Sequence, residues 1–298
     1  MNRAFLSMFR GWILAILVLE TGCSRPTLPP PVPSGKEVRV VSLSPSLTET
    51  IYLLGAEEKL IGVTRFCEYP PEAKTKERVG GFLDPNYEAI YRLRPDVVLI
   101  PGGAVELRKT LENYHLRVVE CPQKTVDDVL ASTRLLGEIL GCSERAEELV
   151  QETLRRLEKI RQAGVGRPRP RVLFVVGRNY SAELPEEVYL VGKDGLCDAV
   201  LELAGGENAY TGEIAFPKVS VEGILRMNPD VILEITPDAG VMALSDEAFL
   251  APWKRLPQLD AVRNDRVFRL CGNPPLLPSP SLLQWVEKTA ELLRDSER

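Results

Sequence analysis

Along the chain, short apolar runs rich in β-branched residues alternate with stretches of helical periodicity. VRVVSL (38–43), KLIGVT (59–64), DVVLI (96–100) and LRVVE (116–120) read as strands. LTETIYLLG and AVELRKTLENY, between them, read as helices, the first closed by Gly55 at a C-terminal cap. Runs such as VVLI are apolar on both faces, which places these strands between helix layers in a parallel sheet. A second series begins at RVLFVVG (171–177), passes through LCDAVLELAGG and DVILEI, and ends with RVFRL (266–270) and the helix SLLQWVEKTAELLRD. The pattern predicts an α/β protein of two Rossmann-like lobes with central parallel sheets, one over residues 38–124 and one over 166–298.

Residues 125–165, between the lobes, are almost entirely helical in composition. Ala146, Leu149, Val150, Leu154, Leu157 and Ile160 form a helical stripe behind Ser143, which resembles a capped start. At 1.5 Å per residue, a helix from Ser143 to Ala163 is about 32 Å long, the width of a small domain. One long α-helix joining two lobes limits how far they can swing.

One unit occurs twice. EAIYRLRPDVVLI (88–100) aligns without a gap with EGILRMNPDVILE (222–234), and seven of the thirteen positions are identical. Unrelated segments of average composition would share about one. In each copy a capping residue, Asn86 or Ser220, stands two positions before the glutamate, so Glu88 and Glu222 fall in a first helical turn, opposite the helix dipole. The helix must stop before Pro95 or Pro229, because the residue preceding proline avoids helical angles. Architecture alone accounts for the Pro-Asp pairs. The two carboxylates, at equivalent sites on pseudo-symmetric lobes, are placed to meet a symmetric dimer.

The N-terminus adds a destination. Arg3 and Arg10 flank a short basic region, and WILAILVL (Trp12–Leu19) is an apolar run of eight, too short to span a bilayer and suited to a secretory signal. Thr21-Gly22-Cys23 resembles a bacterial lipoprotein cleavage site, although Glu20 departs from the usual Leu. Residues 1–22 thus read as a signal peptide and 23–37 as a lipid-anchored linker, extended by five prolines within SRPTLPPPVPSG. The chain is expected to be exported, to the periplasm or outer cell surface, and held at the membrane by lipidated Cys23. Removing residues 1–22 (two Arg, one Glu) takes the formal charge from −5 to −6, which makes the protein a poor partner for nucleic acid. Cys67, Cys121, Cys142, Cys197 and Cys271 contain no C-x-x-C pair; one or two disulfides are allowed, and spacing does not choose among them.

SLSPSLTETIYLLGAEEKLIGVT, then CEYPPEA, then the repeated E-x-I-x-x-L-x-PD-V-V-L unit resemble the periplasmic binding proteins of ABC importers for iron siderophores, haem and cobalamin, the cobalamin branch most. The resemblance runs from about Val38 to the C-terminus. It implies a helical-backbone metal-chelate-binding fold, a monomer that captures its ligand between the lobes, and Glu88 and Glu222 docking on arginines of an ABC permease dimer that works with ATPase subunits. No intrinsic cofactor or structural metal is implied. The ligand itself would be a cobalt corrinoid or an iron chelate.

Ligands of parallel α/β sheets gather beyond the carboxyl ends of strands. Those positions hold Ser44-Pro45-Ser46, Arg65-Phe66, Gly80-Gly81-Phe82 and Pro101-Gly102-Gly103 in the first lobe, and Arg178-Asn179-Tyr180, Phe216-Pro217, Thr236-Pro237 and Asn273-Pro274-Pro275 in the second. The candidates for ligand contact are Ser44, Pro45, Arg65, Phe66, Phe82, Gly102, Tyr180 and Phe216. Phe66 and Phe82 match positions where the cobalamin-binding relatives present aromatic rings to the corrin, and the competing assignment for either is an ordinary core residue. Arg65 and Arg178 could meet an anionic ligand.

The sole histidine, His115, lies at a helix-to-strand junction, where a surface or capping role outweighs ligation. No Walker-type loop, G-x-G-x-x-G after a strand, or His-dependent triad is present, which favours binding over chemistry. Two alternatives stand beside a corrinoid carrier: a siderophore or haem carrier of the same type, and a metal-cluster or tetrapyrrole-processing enzyme using Cys67 and Cys121.

Overall fold

The computed structural model describes residues 38–193, 195–236, 244–270 and 277–295. The expected signal peptide, Cys23 and the linker lie outside these residues, as do Cys271 and the Asn273-Pro274-Pro275 turn. The first sheet consists of β1 (Val40–Ser42), β2 (Leu60–Val63), β3 (Glu77–Arg78), β4 (Val97–Pro101) and β5 (Val118–Cys121), in the order β3-β2-β1-β4-β5. All its pairings are parallel. Successive side chains of a strand point to opposite faces. Val97 and Leu99 therefore pack with Val40, Leu47 and Ile51 on one side, while Val98 and Ile100 pack with Val41, Ile90 and Leu111 on the other. Burial of both faces is why the run is continuously apolar.

The second sheet is built from β6 (Arg171–Gly177), β7 (Val188–Leu190), β8 (Glu207–Asn208), β9 (Lys218–Val219), β10 (Val231–Ile235) and β11 (Val267–Leu270), in the order β11-β10-β6-β7-β9, with β8 on β6. Its centre is parallel, β6 with β10 and β8 and β10 with β11. β7 and β9 pair antiparallel, a departure from a wholly parallel sheet. An antiparallel strand can leave one face to solvent, and β7 does so: Val188 and Leu190 are buried while Tyr189 is exposed.

Two helices join the lobes, α4 (Val126–Leu140) and α5 (Ser143–Ala163), the second with the bounds expected from sequence. The capping box belongs to α4, where Thr125 and Asp128 cap reciprocally; Ser143 is the first helical residue of α5, and Cys142, at its cap, makes no side-chain bond. Gly141, at φ +67, allows the tight reversal between the helices. Ala146 of α5 joins the core of the first lobe and Leu157 that of the second. α4 does the same in reverse, with Leu136 and Leu140 in the first core and Val129 in the second. The long helix α5 therefore reaches both cores, as expected, with α4 packed along it. Of the expected stripe, Leu154 is exposed and Thr153 takes the inward position, its hydroxyl donating to the Leu149 carbonyl at 2.8 Å.

Candidate functional site

The repeated unit folds the same way twice. α2 (Tyr87–Leu93) and α7 (Val221–Met227) are capped by Asn86 Oδ1, which accepts from the Ala89 amide at 2.9 Å, and by Ser220 Oγ, which accepts from the Gly223 amide at 3.3 Å. Both helices end on a left-handed residue, Arg94 at φ 49 and Asn228 at φ 40. Asp96 Oδ2 then accepts from the Arg39 amide at 2.8 Å, and Asp230 Oδ2 from the Arg171 amide at 2.7 Å. Each aspartate thus pins the exit of its helix to the leading edge of the first strand of its lobe. Arg39 and Arg171 reach back to the carbonyls of Leu93 and Asn228. These arginines were not among the expected residues; the signal for them was the Arg-Val pair at 39–40 and again at 171–172.

Glu88 and Glu222 have no such structural task. Both are exposed, and no described side chain pairs with Glu88. Its own backbone amide and Ser220 hold the Glu222 carboxyl below the usual carboxylate range. Each helix starts on the side of its sheet where the central strands end, so both glutamates share that side with the expected ligand contacts.

The carboxyl ends of the two sheets meet at a polar seam. Gln123, after β5, donates to the Pro278 carbonyl at 3.0 Å and accepts from Ser46 at 2.9 Å. Glu49, buried on α1 (Pro45–Leu53), accepts from Ser279 at 2.6 Å, and Ser279 bonds Ser281 at 2.7 Å. Burial raises the Glu49 carboxyl above its usual value, against the lowering effect of the serine hydroxyls.

Around that seam the expected contacts differ in availability. Ser44 is buried with its hydroxyl bonded to Ser46 at 2.7 Å, so Pro45 is the accessible part of that turn. Arg65 is committed to Asp84, one Nη2 at 2.7 Å from both carboxylate oxygens, and its guanidinium lies 4.9 Å from the centre of the Phe66 ring. A Cβ on Gly81 would stand 2.4 Å from Asp84 Oδ1 and 3.1 Å from Phe66 Cε2, so glycine lets this cluster close. Phe66 and Phe216 are 58% and 61% exposed, while Phe82 is half-buried. Gly102 packs against Pro122, where a Cβ would come within 3.0 Å.

Arg178 is not a free cation. Its Nε donates to both oxygens of Glu234 at 2.9 and 3.1 Å, and its Nη2 to the Phe249 carbonyl at 2.9 Å. Trp253 donates to the same carboxylate at 2.9 Å. Tyr180 covers the guanidinium, which lies 4.5 Å from its ring centre.

Cys67 and Cys121 are buried in the apolar core of the first lobe. Thr48 and Thr64 hydroxyls bracket Cys67 at 3.2 and 3.1 Å, and burial pushes the Cys121 thiol up to about 12. Cys67, Cys121, Cys142 and Cys197 are all free thiols. Among the described residues no group of three or more His, Cys, Asp or Glu could hold a metal. His115 stands at the amino end of β5, away from the seam, with φ 57.

Two α/β lobes joined by a long helix, with exposed aromatic side chains at Phe66 and Phe216, frame the candidate binding surface. A family model described as periplasmic binding protein matches residues 40–273, and the chain belongs to that family. It is similar to an uncharacterized ABC transporter substrate-binding lipoprotein of Bacillus subtilis, 28% identical over 260 residues, with 85% of this chain and 79% of the relative covered. The vitamin B12-binding protein of Pectobacterium carotovorum is 31% identical over 200 residues, covering 65% of this chain and 70% of the relative. The solved periplasmic haem-binding protein BhuT, in complex with two haems, superposes with a TM-score of 0.74 at 26% identity, over 87% of this chain and 99% of its own. The vitamin B12-binding protein BtuF of Vibrio cholerae superposes equally well, with a TM-score of 0.74 at 24% identity over 87% and 98% of the two chains, a likeness of fold. These relatives bind rather than catalyse, and the enzyme alternative gives way: its cysteines are buried apart from solvent in an apolar core.

Proposed function

We propose that the chain is the substrate-binding protein of an ABC importer, tethered by lipidated Cys23, that takes up a cobalt corrinoid as a monomer and docks through Glu88 and Glu222 on a permease dimer. The observation that supports this best is the pair Phe66, after β2, and Phe216, before β9, one from each lobe and each more than half exposed, with Leu83 and Ile214 exposed as well. Large exposed apolar groups mark a binding surface, and aromatic rings suit a flat, mostly apolar macrocycle. Iron chelates taken up as haem need an axial side chain. The large exposed apolar side chains Phe66, Leu83, Ile214 and Phe216 favour a corrinoid, whose cobalt brings its own axial ligands. The second reading, a haem carrier, draws on the likeness to BhuT.

Corrinoid uptake by cells that depend on this chain tests the proposal. Glu88→Arg with Glu222→Arg should abolish uptake while ligand affinity in vitro stays within twofold. Uptake by the double variant, or loss of affinity, would overturn the docking role. Cys23→Ser should release the protein from membranes, and continued anchoring would refute the tether.

A further inference from the structure

The second copy of the repeated unit breaks its own pattern at one buried position. Where β4 has Ile100, β10 has Glu234, and both are fully buried. The first lobe shows that the fold requires only an apolar side chain there. A carboxylate in a core must be desolvated and paired, and a buried ion pair seldom stabilises more than the apolar residues it replaces. Arg178, with 1% of its side chain exposed, supplies the pairing. Polar atoms are then left over. Arg178 Nη1 and Arg269 Nε are shut off from solvent without a hydrogen-bond partner among the described residues, and the Tyr180 hydroxyl faces the buried Glu234 carboxylate.

These groups form one cluster. The Arg178 guanidinium lies 5.5 Å and the Arg269 guanidinium 4.4 Å from the centre of the same Phe249 ring. Arg178 follows β6, Glu234 is the penultimate residue of β10, and Arg269 the penultimate residue of β11, so the cluster sits at the carboxyl ends of three adjacent parallel strands. Two guanidinium charges face one buried carboxylate. Asp246, 3.9 Å from Arg269, is 90% exposed and its charge is screened by solvent. Among the described residues one positive charge is therefore left over at the cluster, with Arg269 also donating to the carbonyls of Leu244 and Ser245 and a tyrosine ring on a loop covering Arg178.

We propose that this cluster is an anion-recognising subsite that accepts one phosphodiester group of the ligand, with Tyr180 as its cover. Arg178 Nη1 and Arg269 Nε are the donors, and the Tyr180 hydroxyl is a third once its ring swings off Arg178. A single surplus charge matches a monoanionic diester better than a dianion or a pair of carboxylates. The assignment rests on the corrinoid reading, because a corrinoid with its nucleotide tail carries one phosphodiester.

The test compares cyanocobalamin with dicyanocobinamide, which has the same ring without the phosphodiester tail, on the full chain. The parent protein should bind cyanocobalamin at least tenfold more tightly. Arg269→Met should erase that preference and leave cobinamide affinity unchanged; Tyr180→Phe, which keeps the ring, should narrow the preference severalfold. Equal affinities in the parent, or a preference that survives in both variants, would overturn the subsite. If neither corrinoid binds, the ligand assignment fails, and dimethyl phosphate judges the subsite separately. Line broadening of its ³¹P resonance by the protein, lost in Arg269→Met, would support the subsite, and absence of broadening would refute it.

Discussion

Replacing Asp230 by Ala separates the architectural half of the repeated unit from its functional half. The carboxylate of Asp230 accepts one backbone hydrogen bond, 2.7 Å from the Arg171 amide, where the second sheet begins. Hydrogen bonds to a charged group contribute about 1.5–3 kcal/mol, and truncation strands a donor that the fold has partly withdrawn from water. For a chain of this size each kcal/mol corresponds to about 2–4 °C in Tm, so Asp230→Ala should lower Tm by about 3–12 °C. Glu222 stands eight positions earlier in the same unit but is exposed and pinned to nothing in the sheet. Its replacement by Ala should change stability by less than about 0.5 kcal/mol. Differential scanning calorimetry on the two variants and the parent measures both. Ligand affinity should be unchanged in either. A neutral Asp230→Ala, or a Glu222→Ala that costs as much as the aspartate variant, would refute the division of the motif into a folding part and a docking part.

Three further outcomes follow from the geometry. The folded Glu49 carboxyl titrates above its unfolded value, so its contribution to stability is fully present below the unfolded value and is lost as pH rises through the folded one. Acidifying from neutral pH down to the ordinary carboxylate range should therefore stabilise the parent relative to Glu49→Gln, and parallel Tm profiles of the two would contradict this. Cys121, pushed up to about 12, should resist iodoacetamide at pH 8 in the folded protein and react after unfolding in guanidinium, as peptide mapping would show; labelling in the folded state would contradict its burial. Phe66→Ala should leave Tm nearly unchanged and weaken ligand binding about tenfold, since covering half of its exposed face is worth about 1.4 kcal/mol. An unaltered Kd by calorimetry would remove Phe66 from the site.

The sequence showed what repeats or has strong periodicity. The apolar double-faced strands, the 21-residue α5 and the caps at Asn86 and Ser220 could all be read because each follows from local chemistry. The antiparallel β7 and β9 could not, since runs of two or three residues have no period. Nor could the pairing of Arg65 with Asp84, or of Arg178 with Glu234, because those contacts depend on which strands lie side by side. Arg65 and Arg178 looked like cations waiting for an anion, and the fold has already given each a carboxylate. The capping signal at Ser143 belonged one helix earlier, at Thr125, where the side chain and backbone bond reciprocally. Glu234 stands opposite Ile100 in the aligned repeat, a mismatch that carries no meaning until its burial is known.

The most direct measurement is gel filtration of the full chain after incubation with equimolar cyanocobalamin and haemin, followed by absorbance across the protein peak. A cobalt-corrin spectrum at close to one equivalent, without a haem Soret band, is the expected result. A haem spectrum in that peak, or no chromophore at all, would contradict the assignment of the strand-end surface to a corrinoid.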